Sequence, residues 1–276
     1  MFGKNEIVGR AYFKDAPENT LLVTSMFMTL QGEGPFRGEP AFFIRLAKCN
    51  LACGFCDTFF DQGDEITFSE ISNKITETIE NYYMGQPPKW AIRRKMPLVI
   101  TGGEPLLQPN LTEFCHTVGY SFRDVQIESN GTQPPGDLPA GTVLVVSPKC
   151  VEKKGVALRY LMPREDILDR ADCLKFVMCA DENSAYSQIP IWAHDWIAVK
   201  RKPVYISPMN IYNETPKKAK NADIDTRAKV DEVISFWEPG LLNMRENQAN
   251  HEYAARYCVQ HGLILNLQIQ LYASLA

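Results

Sequence analysis

The amino-acid sequence predicts an α/β fold, a partial barrel of six parallel strand–helix units, on three observations. Short apolar runs rich in Val, Ile and Phe alternate with longer stretches of helical periodicity, the pattern of repeated strand–helix units around a parallel sheet. The chemically suggestive strings follow directly on those runs, where parallel folds gather their ligands. The length, 276 residues, lies within the range of one barrel of this kind. A single domain over residues 1–276 is expected, with its core from about residue 24.

The strand candidates are AFFIRLA from Ala41, PLVITGG from Pro97, VQIESN from Val125, VLVVSPK from Val143, CLKFVM from Cys173 and VYISPMN from Val204. A further apolar stretch, LILNLQIQLY from Leu263, is expected to close one side or extend an edge. Thr67 with Glu70 three residues on reads as a capping box. Phe68, Ile71, Ile75, Ile79 and Tyr82 then recur at helical steps. Asn110 and Glu113 repeat the start signal ahead of a stripe of Leu111, Phe114, Cys115 and Val118. Further helices are expected over 225–237 and 243–260, the second stopped by Gly262. Two stretches, 85–96 with its Arg93-Arg94-Lys95 run and 210–222 with Lys217, Lys218 and Lys220, read as long solvated loops.

Composition narrows the function. Hydrophobic residues make up 45% of the chain and charged ones 22%, ordinary for a globular protein with a sizeable core. The net charge of -4 gives no basic footprint for nucleic acid, so any anionic ligand must be held by local groups. Residues 1–25 carry charges throughout and no long apolar run. Neither a secretory signal nor a membrane span is expected, and the chain is read as cytoplasmic.

Cys49, Cys53 and Cys56, in KCNLACGFCDT, have the spacing CxxxCxxC. An electron-transfer iron-sulfur cube takes four protein thiolates, so three leave one iron open to a substrate or cofactor. Zinc would need a fourth nearby ligand, and His116, His194, His251 and His261 all lie far along the chain. A disulfide would leave one thiol odd and needs an oxidising compartment. Buried structural thiols remain the plain alternative, although Asn50, Gly54 and Asp57 suit a loop better than a core strand. Cys115, Cys150, Cys173, Cys179 and Cys258 are scattered singly and read as buried free thiols.

Thr101-Gly102-Gly103-Glu104-Pro105 alone could be a tight turn, or its glycines could let a ligand touch the backbone. About fifty residues after the cysteines, it resembles the GGE-like string of the radical S-adenosylmethionine superfamily. The ordered strings TLQGEGP from Thr29, Gly38, Arg45, CDT ending at Thr58, TGGEPLLQ, ESNGT and SPK further resemble the 7-carboxy-7-deazaguanine synthase family, closely over 29–149 and more weakly beyond.

That resemblance implies a six-unit partial barrel of the radical S-adenosylmethionine type. The implied enzyme is a lyase of queuosine and 7-deazapurine biosynthesis that converts 6-carboxy-5,6,7,8-tetrahydropterin to 7-carboxy-7-deazaguanine with loss of ammonia. It also implies a course: hydrogen abstraction from carbon six by a 5'-deoxyadenosyl radical, ring contraction, return of the hydrogen and elimination. Carried over by position, Cys49, Cys53 and Cys56 hold a 4Fe-4S cluster and Thr58 binds Mg²⁺. Phe55, Asp57, Gly103, Ser147, Pro148 and Lys149, with Ser207, Pro208, Met209 and Asn210, line the S-adenosylmethionine site. Leu30, Gln31, Gly32, Arg45 and Thr101 hold the pterin, and Glu128 is the catalytic candidate. A reducing partner such as flavodoxin or ferredoxin is implied, with a homodimer possible and no nucleic-acid or membrane partner.

Physical chemistry agrees with several of these roles. Arg45 is a forked donor for a carboxylate, and Gln31 offers a donor and an acceptor to a pterin edge. Read alone, Arg45 could pair with an acidic neighbour, Glu128 could be a structural acceptor, and Glu33 could merely shape its loop. Two strings depart from the family: its Gln-x-His-Lys string reads Gln268-Ile269-Gln270-Leu271 here, and its QPMD reads Ser207-Pro208-Met209-Asn210. The rival readings are an activase that places a glycyl radical on a partner protein, and a metal-stapled binding module without turnover.

Overall fold

The computed structural model describes residues 5–83, 95–153, 155–213, 224–225 and 235–275. Most of the two predicted loops, and most of the helix predicted over 225–237, lies outside them; Trp237, its expected end, falls in a turn. In chain order the strands are β1 (Thr20–Leu30), β2 (Pro40–Leu46) and β3 (Asp64–Thr67), followed by helix α1 (Phe68–Tyr82). Then come β4 (Pro97–Gly102), α2 (Leu111–Thr117), β5 (Asp124–Ser129), β6 (Thr142–Val146), β7 (Cys150–Lys153) and β8 (Val156–Tyr160). The chain continues through α3 (Glu165–Arg170), β9 (Cys173–Met178), α4 (Ile191–Lys200) and β10 (Val204–Pro208). The described elements end with α5 (Met244–His261), β11 (Ile264–Leu265) and α6 (Ile269–Tyr272).

Among the described residues nine strands form one sheet in the order β11-β10-β9-β6-β5-β4-β2-β1-β3. The six predicted strands are β2, β4, β5, β6, β9 and β10, adjacent in chain order and all parallel. The last apolar stretch extends the edge by only the two residues of β11, then turns into α6. The antiparallel additions β1 and β3 flank the other side, and β7 pairs β8 in a separate hairpin.

Alternation along each strand sorts side chains onto two faces. Phe42, Ile44 and Leu46 of β2, Leu98 and Ile100 of β4, and Leu174 and Phe176 of β9 join the main core. Helix α1 packs its Phe68, Ile71, Ile75 and Ile79 there, but Tyr82, at the end of the predicted stripe, is 54% exposed. The capping box forms as expected: the Thr67 hydroxyl accepts from the Glu70 amide (3.2 Å) and the Glu70 carboxylate accepts from the Thr67 amide (2.9 Å). Asn110 does not cap α2 with its side chain, which donates instead to the carbonyls of Pro17 (2.7 Å) and Thr20 (3.0 Å). Helix α5 stops at Gly262, whose φ of 66° is left-handed. All eight cysteines are free, and the five outside the CxxxCxxC string are buried.

The opposite face of the sheet carries a smaller apolar floor, Phe27, Ala41, Phe43 and Val99 on one side and Val145, Cys173 and Tyr205 on the other. Above that floor, toward the carboxyl ends of the strands, the inward positions turn polar.

Candidate active site

Arg45 on β2 stands in register with Thr101 on β4, so two predicted substrate residues are neighbours across adjacent strands. Glu128 occupies the same inward parity on β5, and Ser147, Lys149 and Ser207 follow at the ends of β6 and β10. These side chains and Cys49, Cys53 and Cys56 line one cavity, together with Gln31, Phe55, Asp57, Thr58, Gly103, Pro208, Met209 and Asn210. Leu30, Gly32 and Pro148 do not line it. Leu30 ends β1, Pro148 is buried between Ser147 and Lys149, and the space a side chain at Gly32 would take is filled by Gln270, whose Oε1 would lie 1.9 Å from an added Cβ.

The cysteine loop leaves β2 and is clasped to the end of β4. A Cβ on Gly102 would meet the Leu46 carbonyl oxygen at 2.3 Å, and one on Gly103 would meet the Lys48 oxygen at 1.9 Å. The Gly103 amide donates to Leu46 O and the Glu104 amide to Lys48 O, both at 2.9 Å. The paired glycines therefore bring two backbones together, and both also line the cavity, so the close approach and an exposed backbone edge coexist there. Glu104 then links onward: its buried carboxylate accepts from the Asn130 amide (2.7 Å), the Ser129 hydroxyl (2.9 Å) and the Leu106 amide (3.1 Å). Burial pushes its pKa up, and those donors oppose the shift. From the other side, Glu152 of β7 accepts from the Gly54 amide at 2.9 Å.

Burial also pushes the Cys49 thiol up to about 12, and raises Cys53 and Cys56. Such thiols stay protonated until a metal replaces the proton. Among the described residues no group of His, Cys, Asp and Glu converges tightly enough to hold a single metal ion. A cluster of several irons spreads its ligands around a body, so three thiols around one cavity fit it where they would not fit a point ion. Asn130 reaches the Cys49 sulfur and Asn5 the Cys56 sulfur, each at 3.9 Å, placing amide donors beside two of the ligand candidates.

Deeper in, a polar network occupies the inward face. Glu128 Oε1 accepts from Gln31 (3.1 Å) and Gln126 (3.0 Å), and Oε2 accepts from Lys175 Nζ (3.0 Å). Lys175 also contacts Glu33. Gln268 donates to Glu33 (3.2 Å) and Asp57 (3.3 Å) and accepts from Asn210 (2.7 Å). Thr58 donates to Asp57 Oδ1 at 3.2 Å, and Lys149 Nζ donates to the Ser147 carbonyl (2.7 Å) and hydroxyl (2.6 Å). Sequence reasoning passed over Lys175, discounted the C-terminal Gln268 and Gln270, and left Glu33 open. A signal for Lys175 existed: a charge within the apolar CLKFVM, out of phase with the core-facing Leu174 and Phe176. For the glutamines the signal is the string Gln268-Ile269-Gln270-Leu271, whose departure from the family's Gln-x-His-Lys hides it, while the reach of Gln268 to Glu33 follows only from the folded chain.

A run of parallel strands with three thiols and a polar ring at their carboxyl ends defines the radical S-adenosylmethionine class of enzyme. No protein-family model matches the chain. It is similar to curated proteins named 7-carboxy-7-deazaguanine synthase: 41% identical over 170 residues to that of Rickettsia prowazekii, covering 62% of this chain and 66% of the relative. The Methanospirillum hungatei relative is 30% identical over 195 residues (70% and 75% covered), and that of Rhodospirillum rubrum 34% over 192 (69% and 71%). The chain belongs to the 7-carboxy-7-deazaguanine synthase family. Its fold matches the crystal structure of QueE from Escherichia coli with a TM-score of 0.55 over 95% of this chain and 99% of that one, at 22% identity.

Proposed function

We propose that the chain converts 6-carboxy-5,6,7,8-tetrahydropterin to 7-carboxy-7-deazaguanine with loss of ammonia. The observation that carries this reading is one cavity lined at once by Cys49, Cys53 and Cys56, by Lys149 and Ser147, and by Arg45, Thr101 and Gln31. When bound, the 4Fe-4S cluster and S-adenosylmethionine supply reductive cleavage of the cofactor and so a primary carbon radical.

The chain's own residues bind and orient. Cys49, Cys53 and Cys56 hold the cluster, and Lys149, Ser147, Ser207 and Asn210 offer charge and hydrogen bonds to the amino-acid end of the cofactor. Phe55, edge-on to Tyr186 at 5.1 Å, offers an apolar surface to its ring system. Arg45 grips the pterin carboxylate, flanked by Thr101 and stacked over Phe27 at 5.1 Å. Gln31 reads the pterin edge, and Glu128 fixes Gln31. Thr58, bonded to Asp57, would hold Mg²⁺ through its hydroxyl oxygen, the metal supplying charge to orient substrate oxygens. Fixing both partners in one cavity, away from water, is the protein's contribution to rate.

Among the described residues no helix is long and apolar enough to cross a membrane. The test is anaerobic reconstitution with iron and sulfide, then incubation with S-adenosylmethionine, Mg²⁺, a reductant and the pterin, read by mass spectrometry. Formation of the deazapurine supports the reading. Cofactor cleavage with the pterin unchanged overturns it.

A further inference from the structure

Lys175 has no part in that account. It lies in the middle of β9 with its side chain 8% exposed, lining the cavity while Leu174 and Phe176 face the opposite core. Its ammonium joins two carboxylates from distant parts of the chain: Glu33, in the loop after β1, and Glu128, near the end of β5 at 3.0 Å.

These contacts close a ring. The Glu33 amide donates to Gln31 Oε1 at 3.0 Å, and Gln31 Nε2 donates to Glu128 Oε1 at 3.1 Å. Lys175 completes the circuit from Glu128 back to Glu33. Both ends of the Gln31 amide are thereby fixed, so the amide cannot turn over without breaking a bond. Gln126, which donates to Glu128 at 3.0 Å, braces the same carboxylate oxygen.

The electrostatics show why a cation belongs there. Two carboxylates in a buried site repel, and burial pushes the Glu128 pKa up and that of Lys175 down to about 7. Contact between the charges offsets that pressure, and removing one partner leaves the other buried and unbalanced. Without the ammonium one carboxylate would take up a proton, and the acceptor that holds Gln31 Nε2 would be lost or shared.

We propose that Lys175 is a positioning residue for the substrate: by bridging Glu33 and Glu128 it locks the Gln31 amide in the orientation that reads the hydrogen-bonding edge of a pterin-class ring. This rests on the reading of Gln31 as a substrate contact. Lys175 touches the reaction only through Gln31, Glu33 and Glu128.

The experiment uses the reconstituted holoenzyme with S-adenosylmethionine present and no reductant, and measures carboxytetrahydropterin affinity in wild type, Lys175→Met, Glu33→Gln and the double variant. Lys175→Met weakens the pterin at least tenfold and Glu33→Gln at least threefold. The double variant is no worse than Lys175→Met, because both substitutions open the same ring. Cluster content and S-adenosylmethionine affinity stay at wild-type values, which a general packing role would not spare. Wild-type pterin affinity in Lys175→Met, additive losses in the double variant, or equal weakening of cofactor and pterin would each overturn the proposal. If Lys175→Met does not fold, Glu33→Gln, which keeps volume, decides alone: a threefold loss of pterin with cofactor affinity intact supports the role, and no loss overturns it. A wild type that binds no pterin overturns the substrate reading, and this role with it.

Discussion

At the scale of single residues, the site depends on groups that burial would keep neutral until a partner arrives. The Cys49 thiol, pushed up to about 12, would become a ligand only by releasing its proton to solvent as iron takes its place on the sulfur. Cys56→Ala is therefore expected to lose iron and sulfide on reconstitution, while Cys258→Ala, a buried thiol on α5 outside the cavity, keeps both; elemental analysis of the two decides. Arg45→Lys keeps the charge but loses the fork. Its expected cost to pterin binding is about 1.5–3 kcal/mol, the range for hydrogen bonds to charged groups, with cluster content unchanged. A titration with a pterin lacking the carboxylate checks the cause, because the wild-type preference for the acid should shrink in the variant. Arg45, Gln31 and the cysteines were legible in the sequence because their neighbouring strings are local. Lys175 and Gln268 act across 142 and 235 positions to reach Glu33, and no local pattern reports such a pairing.

At the scale of elements, the two glycines at the end of β4, Gly102 and Gly103, act as a clasp. Gly103→Ala drives a Cβ into the Lys48 carbonyl, a backbone atom that cannot swing aside, and is expected to lower both cluster content and the thermal midpoint. Gly141→Ala, with nothing within 4 Å of the added carbon, is the control that changes neither. The α1 capping box is a separate device: Thr67→Ala should cost about 1 kcal/mol of stability, read by denaturant melting, without touching cluster or cofactor. The capping box was legible because its two partners stand three residues apart. The Asn110 cap was not realised, because the carbonyls of Pro17 and Thr20 compete for its amide. The hairpin β7–β8 escaped notice because its residues are short of apolar alternation, yet through Glu152 it props the cysteine loop at Gly54.

At the scale of the whole molecule, six parallel strands each place an apolar residue toward the helices and the next toward the cavity, so one period-two pattern builds both the core and the site. The core half was visible as runs of Val, Ile, Leu and Phe. The flanking strands β1 and β3 do not stand out in the sequence, because Thr20–Leu30 is interrupted by Thr24, Ser25 and Thr29 and is placed by antiparallel pairing with both β2 and β3. The proposed reaction requires this cavity to hold cofactor and pterin together while one hydrogen passes between them. The most direct measurement is turnover with pterin deuterated at carbon six, followed by mass spectrometry of product and recovered S-adenosylmethionine. Deuterium in the recovered cofactor, with 7-carboxy-7-deazaguanine formed, is the predicted result. Cofactor cleavage to unlabelled 5'-deoxyadenosine at the same rate with or without the pterin would contradict it.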